Sequence, residues 1–230
     1  MAWFQKQKRG LDKRWFAADG GLMSPNYLRS LGFSIETVID VGVDRGTNWL
    51  YDAYPDKQFL LVDPQPGCEE KVEKRPRNYQ FFAKGVGAEK GQIELEVRGA
   101  KSTMIKRTAS LPGKGRMVKV EIDTLDNIID ASGAKGPFGI KIDTEGFELD
   151  VLRGLTKHAD DTSFIICEAS IRRQYDGGYL FSELASYLRT KNFEFYNFIS
   201  PQKLRPAYHD CLFVRGDSAL FDWEPLARKG

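Results

Sequence analysis

The sequence is poor in the residues that build disulfide frameworks or metal clusters. Its three cysteines, Cys68, Cys167 and Cys211, are odd in number, lie far apart and form no C-x-x-C pair. Neither a zinc site nor a set of disulfides is therefore indicated, and we expect all three thiols to be structural. Histidine is also scarce, since His158 and His209 are the only two.

Long apolar runs are missing as well. No stretch approaches the roughly 20 residues of a membrane-spanning helix, and residues 1–21 contain no apolar core of a signal peptide. We therefore expect a cytoplasmic protein without a membrane span. The formal net charge of +2 gives no reason to predict a nucleic-acid partner.

Charge is uneven only at the start of the chain. Residues 1–16 hold five Lys or Arg and one Asp among four aromatic residues. Such a segment can lie at an interface or bind a partner, but a helix that packs its aromatic residues on the domain is the favoured interpretation. We predict a basic and aromatic helical extension over residues 1–34, followed by one domain over residues 35–230.

From residue 35 onward, short β-branched runs alternate with stretches of helical periodicity, which is typical of βαβ units and a parallel sheet. Two final strands, at 193–199 and 211–214, indicate that an antiparallel strand closes the sheet. We predict an α/β fold with a Rossmann-like, mostly parallel sheet. Strands are predicted at 37–41, 58–62, 79–82, 138–143 and 164–168, and helices at 47–54, 66–74, 125–132, 145–155 and 179–191.

The alternation is interrupted between residues 91 and 122. Ile93, Leu95 and Val97 alternate with polar residues, and apolar residues alternate in the same way at 118, 120 and 122. This period of two indicates half-buried strands. Residues 99–116 between them are rich in Gly, Ser, Thr and Lys, so we predict a small antiparallel β insertion that carries a mobile loop.

The first strand runs into a glycine loop, D-V-G-V-D-R-G at residues 40–46. Glycine lets the backbone turn sharply beside a ligand, and the helix that follows offers unpaired N–H groups. The spacing is G-x-x-x-G, whereas dinucleotide sites have G-x-G-x-x-G. A carboxylate at Asp40 would repel a pyrophosphate but would help to hold the cationic S-adenosylmethionine. Asp40, Gly42, Val43 and Gly46 are therefore candidate cofactor-binding residues.

The second strand ends at Asp63, which precedes Pro64. An acid at this place accepts hydrogen bonds from ribose hydroxyls in nucleotide-binding folds. Asp63 therefore predicts an adenosine-containing ligand without identifying it. The alternative is a turn or helix-capping role.

Residues 139–154 read G-I-K-I-D-T-E-G-F-E-L-D-V-L-R-G. This stretch closely resembles the K-I-D-x-E-G-x-E-x-x-V-L-x-G segment of the FkbM family of S-adenosylmethionine-dependent methyltransferases. T-L-D at 124–126 resembles the family's approach to the same strand. The loop at 40–46 resembles its D-V-G-A-x-x-G, with Val43 in place of alanine, and Asp63 stands where the family often has Glu.

The resemblance covers roughly residues 35–168. It implies a class I methyltransferase fold, S-adenosylmethionine as the cofactor, and a hydroxyl group of a sugar or natural product as the small-molecule acceptor. It also implies that Ser102, in a pair of small hydroxyl residues, lies over the cofactor. The first 30 and last 60 residues match no motif of the family, and acceptor choice is expected to depend on them.

The candidate catalytic residues lie where predicted strands reach the ligand-binding edge of the sheet. Asp143 leaves its strand at the carboxyl edge, where open α/β sheets bind ligands, and Glu168 ends the next strand at the same edge. His209 opens the last strand, and an antiparallel strand would begin there too. We predict that the three converge and that one of them removes the acceptor proton. The alternative for Asp143 is a helix-capping role, and the alternative for His209 is that of a hydrogen-bonded loop histidine. Glu145 is predicted to begin the next helix.

These carboxylates could instead hold a divalent cation such as magnesium, which would acidify the alcohol. Catalysis without a metal is slightly favoured. A nicotinamide-dependent oxidoreductase is a rival function, disfavoured by the missing third glycine and by Asp40. A non-catalytic binding module of the same fold is the other rival. It is disfavoured because the key residues are all present, namely Asp40, Gly42, Gly46, Asp63 and Asp143.

Overall fold

A seven-stranded sheet organises the part of the chain that the computed structural model describes, residues 21–108, 115–201 and 203–222. The described strands are β1 (Thr37–Val41), β2 (Gln58–Val62), β3 (Asn78–Phe82), β4 (Gly85–Val86), β5 (Gly91–Val97), β6 (Arg116–Asp123), β7 (Phe138–Ile142), β8 (Thr162–Ser170), β9 (Phe193–Phe198) and β10 (Tyr208–Arg215). The large sheet has the order β3-β2-β1-β7-β8-β10-β9. Within this sheet β10 runs opposite to the other six strands, so the predicted mostly parallel sheet with an antiparallel final strand is confirmed.

Helices cover both faces of this sheet. They are α1 (Pro25–Ser30), α2 (Asn48–Ala53), α3 (Cys68–Lys71), α4 (Leu125–Ser132), α5 (Glu148–Arg153) and α6 (Phe181–Thr190). Helix α4 has the clearest boundary signals in the sequence. Thr124 caps its start by accepting from the Asn127 amide, and Gly133 ends it in the left-handed conformation. Its bounds agree with the predicted 125–132.

Two apolar layers hold the helices to the sheet. Leu125, Val151 and Leu184 of α4, α5 and α6 are buried in one layer, whereas Leu28 and Leu50 of α1 and α2 are buried in the other. Because helices lie on both faces, the central strands β1 and β7 are buried along their whole length. All three cysteines are buried and free.

The insertion is a second, three-stranded sheet with the order β4-β6-β5. Strands β5 and β6 pair antiparallel from Gly91 with Ile122 to Val97 with Arg116, as the alternating pattern predicts. The two-residue strand β4 was not predicted, since Gly-Val is too short to show a period. Residues 109–114 of the predicted mobile loop and the basic segment at residues 1–20 lie outside the described residues.

The prediction that a helix begins at Glu145 is wrong. Glu145 has a φ of +54° and Gly146 a φ of +106°, and α5 begins only at Glu148. Both φ values lie in a region that a right-handed helix does not use. Glu145 therefore belongs to a loop and does not complement a helix dipole. None of the described helices combines the length and the apolar composition that crossing a membrane requires.

Candidate active site

The glycine loop lies directly against the end of the neighbouring strand. Gly42 has a φ of +82°, and a Cβ atom there would lie 1.7 Å from the carbonyl oxygen of Asp143. The Gly42 amide donates to the Val62 carbonyl at 2.9 Å, and the Asp143 amide donates to the Val41 carbonyl at 2.9 Å. Only glycine fits this junction, which joins the loop after β1 to the residue after β7 through main chain alone.

Asp63 shapes the same loop from the end of β2. One carboxylate oxygen accepts from the Asp44 amide at 3.0 Å and the other accepts from the Gln65 amide at 2.8 Å. The first of these bonds supports the left-handed φ of +44° at Asp44. Burial raises the pKa of Asp63, and the two amides oppose that shift. The side chain thus has the predicted turn role and also faces the pocket described below.

Asp40 is fully buried beneath the loop. Its Oδ2 atom accepts from the Tyr51 hydroxyl at 2.7 Å, and its Oδ1 atom lies 3.5 Å from the Lys141 ammonium. Burial, followed by the adjacent Asp40 charge, raises the pKa of Tyr51, so the phenol remains a donor. Tyr51 comes from α2, and no local sequence signal identified it as a partner of Asp40.

Lys141 links the loop to the acid after β7. Its ammonium lies 3.2 Å from Asp143 Oδ2 and 3.4 Å from the Gly42 carbonyl oxygen, in addition to its contact with Asp40. The contacts with Asp143 and Gly42 are hydrogen bonds, whereas the contact with Asp40 Oδ1 is an ion pair without a hydrogen bond. Burial works against the charge, but Asp143, Asp40 and Asp210 outweigh it and raise the pKa of Lys141.

A pocket opens between the glycine loop and the insertion. Five of the six predicted cofactor-binding residues line it together with Asp143, namely Gly42, Val43, Gly46, Asp63 and Ser102. Asp40 lies beneath the lining. The Ser102 hydroxyl is engaged within the insertion loop, where it donates to the Gly99 carbonyl at 2.7 Å and accepts from the Arg98 amide at 2.8 Å. Leu95 and Met104 provide apolar surface on the same side.

Three acids follow one another along the carboxyl edge of the sheet. Asp210 pairs with Glu168, and Ile142 pairs with Cys167, which places Asp143 beside Glu168. Because paired residues project to the same face, the three carboxyl groups share one side. Burial, followed by the Asp143 charge, raises the pKa of Glu168 to about 10. Glu168 is therefore a neutral acid at neutral pH, and it can donate a hydrogen bond.

His209 does not join these acids. It pairs with Ala169 and alternates with Asp210 along β10, so its side chain projects to the opposite face of the sheet. There the ring lies 5.1 Å from that of Phe198, and Nδ1 is 3.1 Å from the Ser200 hydroxyl. Burial, followed by the charge of Lys203, lowers the pKa of His209. The predicted convergence is thus met for Asp143 and Glu168 and is not met for His209.

Glu148 is a buried carboxylate whose position in the motif gave no indication of its contacts. Its Oε1 atom accepts from the Thr144 and Gly146 amides at 2.9 and 3.0 Å, and its Oε2 atom accepts from the Tyr179 hydroxyl at 2.6 Å. Burial raises the pKa of Glu148. These bonds fix the loop between β7 and α5, and with it the position of Asp143.

A metal site is not formed by the residues described. Within residues 21–108, 115–201 and 203–222, no three His, Cys, Asp or Glu side chains are grouped so that they could hold a metal ion. His158, the second histidine, contacts Asp130 at 2.9 Å and packs its ring against Phe138, the first residue of β7.

Comparisons with known proteins identify relatives of this arrangement. A family model described as "Methyltransferase FkbM domain" matches residues 40–195, more than half of the chain. Among solved structures, the FkbM methyltransferase from Methylobacillus flagellatus KT has a TM-score of 0.56 at 15% identity, over 88% of this chain and 50% of that chain. The present chain thus spans about half the length of that protein. At this identity the likeness shows the fold, that of a class I methyltransferase.

Other likenesses are weaker. The magnesium protoporphyrin IX methyltransferase of Synechocystis PCC 6803, solved with bound S-adenosylmethionine, has a TM-score of 0.41 at 12% identity, over 83% of this chain and 74% of that chain. The 1,6-didemethyltoxoflavin-N1-methyltransferase of Burkholderia thailandensis has a TM-score of 0.41 at 14% identity, over 94% and 84% of the two chains. Neither score supports an argument about function. No curated protein matches the chain.

Proposed function

The chain belongs to the FkbM methyltransferase family, and from this premise we propose that it transfers a methyl group from S-adenosylmethionine to a hydroxyl oxygen of a small molecule, such as a sugar or a natural product. One observation carries the proposal. Three features of the sequence meet at one pocket. Its lining includes Gly42 of the glycine loop, Asp63 after β2 and Asp143 after β7.

The charges around the pocket favour a cationic cofactor. Asp40 lies buried beneath the pocket lining. The lining carries four acids and two bases, namely Asp44, Asp63, Asp143, Glu145, Arg45 and Lys141, which gives a formal net charge of −2. That balance attracts the ammonium and sulfonium groups of S-adenosylmethionine and opposes the pyrophosphate of a nicotinamide cofactor. The cofactor, when bound, supplies a methyl group on a positively charged sulfur.

Asp63 and the loop are suited to the adenosine end. Each carboxylate oxygen of Asp63 accepts one backbone amide, and a carboxylate oxygen can accept a second hydrogen bond. Two ribose hydroxyls can therefore bind to it without displacing the amides. The lack of a side chain at Gly42 allows the loop to turn without filling the pocket floor.

We assign proton removal to Asp143. Its Oδ2 atom accepts from Lys141 at 3.2 Å, and the other oxygen remains able to accept the acceptor's hydroxyl proton. Glu168, protonated because of its raised pKa, can donate a hydrogen bond that orients the acceptor. A positioned base contributes about 10²–10⁴-fold, and alignment of the reacting atoms contributes up to about 7–11 kcal/mol. His209 has no part in this proposal, because it lies on the opposite face of the sheet.

The first experiment tests the cofactor. S-adenosylhomocysteine, added to the full chain, should raise the melting temperature and bind in titration calorimetry, whereas NAD should do neither. Binding of NAD in place of S-adenosylhomocysteine would refute the methyltransferase proposal.

The second experiment tests the chemistry with a panel of sugar and natural-product alcohols and labelled S-adenosylmethionine. Asp143→Asn should bind S-adenosylhomocysteine nearly as well as the wild type but lose on the order of 10²-fold or more in single-turnover rate. Asp150→Asn, at a half-buried acid of α5 that pairs with Arg153 and does not line the pocket, is the matched control and should keep the wild-type rate. A product methylated on nitrogen or carbon would overturn the assignment to oxygen. Activity that is abolished by a chelator and restored by magnesium would replace Asp143 as a base with metal-assisted catalysis.

A further inference from the structure

Glu145 lies at the centre of a set of contacts that the proposed chemistry does not use. Its φ of +54° is unusual for a residue with a side chain, and this conformation turns the carboxylate towards two other loops. Glu145 Oε2 accepts from the Arg107 guanidinium at 2.7 Å and from the Tyr175 hydroxyl at 2.5 Å. The Glu145 carbonyl also accepts from the Thr103 hydroxyl at 2.8 Å.

Arg107 and Tyr175 contact each other as well. The guanidinium carbon of Arg107 lies 4.8 Å from the centre of the Tyr175 ring, and the two residues form an antiparallel bridge. On either side of that bridge, the Thr108 amide donates to the Gln174 carbonyl at 2.8 Å and the Asp176 amide donates to the Lys106 carbonyl at 2.7 Å. Two segments that are distant in sequence are thus joined edge to edge.

The packing around Tyr175 leaves no room for an alternative arrangement. Tyr175 is buried, and a Cβ atom on Gly146 would lie 2.5 Å from its ring. Gly146 therefore has to be glycine both for its positive φ and for this contact. The side chain of Arg107 is 13% exposed, so its ion pair with Glu145 is largely shielded from water and stronger than a surface pair.

We propose that Arg107, Glu145 and Tyr175 form a clasp that holds residues 98–108 of the insertion as the outer wall of the cofactor pocket. The wall carries Gly99, Ser102 and Met104, all of which line the pocket opposite the glycine loop. The three clasp residues are positioning residues. They act on the cofactor through the wall, and Glu145 itself lines the pocket rim.

The clasp rests on the proposed function, because its effect is on a pocket assigned to S-adenosylmethionine. Without the clasp, residues 98–108 keep their connection to β5 and the main-chain bonds at Lys106 and Thr108, but they lose the side-chain contacts among Arg107, Glu145 and Tyr175. A wall that opens more often should release the cofactor product faster. Cofactor dissociation should therefore change more than the stability of the central sheet, because the three clasp residues lie outside its strands.

The experiment compares Arg107→Met, Tyr175→Phe and the matched control Lys106→Met in the full chain. Lys106 is exposed and its main-chain carbonyl keeps its bond to Asp176, so Lys106→Met removes one positive charge from the same segment without altering the clasp. Arg107→Lys tests rescue by a conservative change. Tyr175→Phe keeps the ring packed on Gly146 and removes only the hydroxyl donated to Glu145.

Two readouts are measured. Hydrogen exchange without ligand should be faster by about tenfold or more at residues 98–108 in Arg107→Met and Tyr175→Phe, and unchanged in Lys106→Met. Stopped-flow release of S-adenosylhomocysteine should be faster by about tenfold in the two clasp variants, with partial recovery in Arg107→Lys. Exchange of β1 and β7 should not change in any variant.

The outcomes separate the two proposals. A wild-type chain that does not bind S-adenosylhomocysteine contradicts the proposed function, and the exchange measurement still decides whether the clasp holds the loop. Equal exchange at residues 98–108 in Arg107→Met and Lys106→Met overturns the clasp. Faster exchange without any change in ligand release overturns its positioning role, even if the wild type binds the ligand.

Discussion

Replacing Glu168 by glutamine should change how the stability of the protein depends on pH. Burial, followed by the Asp143 charge, raises the pKa of Glu168 to about 10 in the folded chain, whereas an unfolded glutamate has a pKa of about 4.3. Between these values the folded state keeps a proton that the unfolded state releases. The contribution of this proton to stability is complete below about pH 4.3 and is lost as the pH rises towards 10.

The size of the effect follows from linkage. One proton bound only in the folded state gives a slope of about 1.4 kcal/mol per pH unit. From pH 6 to pH 8 the wild type should therefore lose up to about 2.7 kcal/mol that Glu168→Gln does not lose. For a chain of this size, 1 kcal/mol corresponds to roughly 2–4 °C in melting temperature. The variant should gain about 5–11 °C relative to the wild type over this interval.

Differential scanning calorimetry measures the melting temperatures of the wild type and of Glu168→Gln at pH 6 and pH 8. The change between the two pH values is then compared between the two proteins. Other buried acids whose pKa is raised, such as Asp63 and Asp210, remain in both proteins and cancel. Glu94→Gln, an exposed residue of β5, serves as the control and should follow the wild type. If Glu168→Gln and the wild type shift in parallel between the two pH values, Glu168 is ionised in the folded state and cannot be the neutral donor of the proposed reaction.

Three further predictions concern the pocket floor. Lys141→Met leaves Asp40 and Asp143 without their shared cation, which should cost about 3–5 kcal/mol of unfolding free energy in chemical denaturation; a loss below about 1 kcal/mol would show that the two acids do not need it. Asp63→Ala should weaken S-adenosylhomocysteine binding by about 1–3 kcal/mol in titration calorimetry. It should also lower the melting temperature, because two backbone amides lose their acceptor. Gly42→Ala places a methyl group 1.7 Å from the Asp143 carbonyl oxygen, so it should abolish ligand binding and lower the melting temperature. A variant with wild-type behaviour in both assays would refute the close approach.

The parts of the fold that have a repeating signal could be predicted from the sequence. The strands of the large sheet have β-branched or aromatic runs, the insertion has a period of two, and α4 has both a capping residue and a terminal glycine. The start of α5 could not be predicted, because Glu145 adopts a positive φ and its carboxylate contacts Arg107 and Tyr175 through the tertiary fold. Neither partner is close to Glu145 in sequence.

The candidate site shows the same division. The residues of the glycine loop and the acids Asp63 and Asp143 could be identified because they follow directly from a buried strand. The predicted strand end at Glu168 is wrong, because β8 continues to Ser170. His209 and Asp210 are adjacent at the start of β10, and a period of two means that only one of them can face the site. The sequence alone does not determine which one, since that depends on the register with β8. Tyr51 and Tyr179 were missed because their contacts with Asp40 and Glu148 are made through the tertiary fold. Glu148 was missed because its bonds to the Thr144 and Gly146 amides depend on the turn of that loop.

The junction between Gly42 and Asp143 has a consequence for how this domain can diversify. Its two hydrogen bonds, Gly42 to Val62 and Asp143 to Val41, are both made by main-chain atoms. Substitutions in the loops around the pocket can alter which molecules enter it, whereas these main-chain bonds and the Glu148 contacts keep the separation between the glycine loop and Asp143. Variants of this chain can therefore differ in peripheral loops and still keep the same distance between these two parts of the pocket.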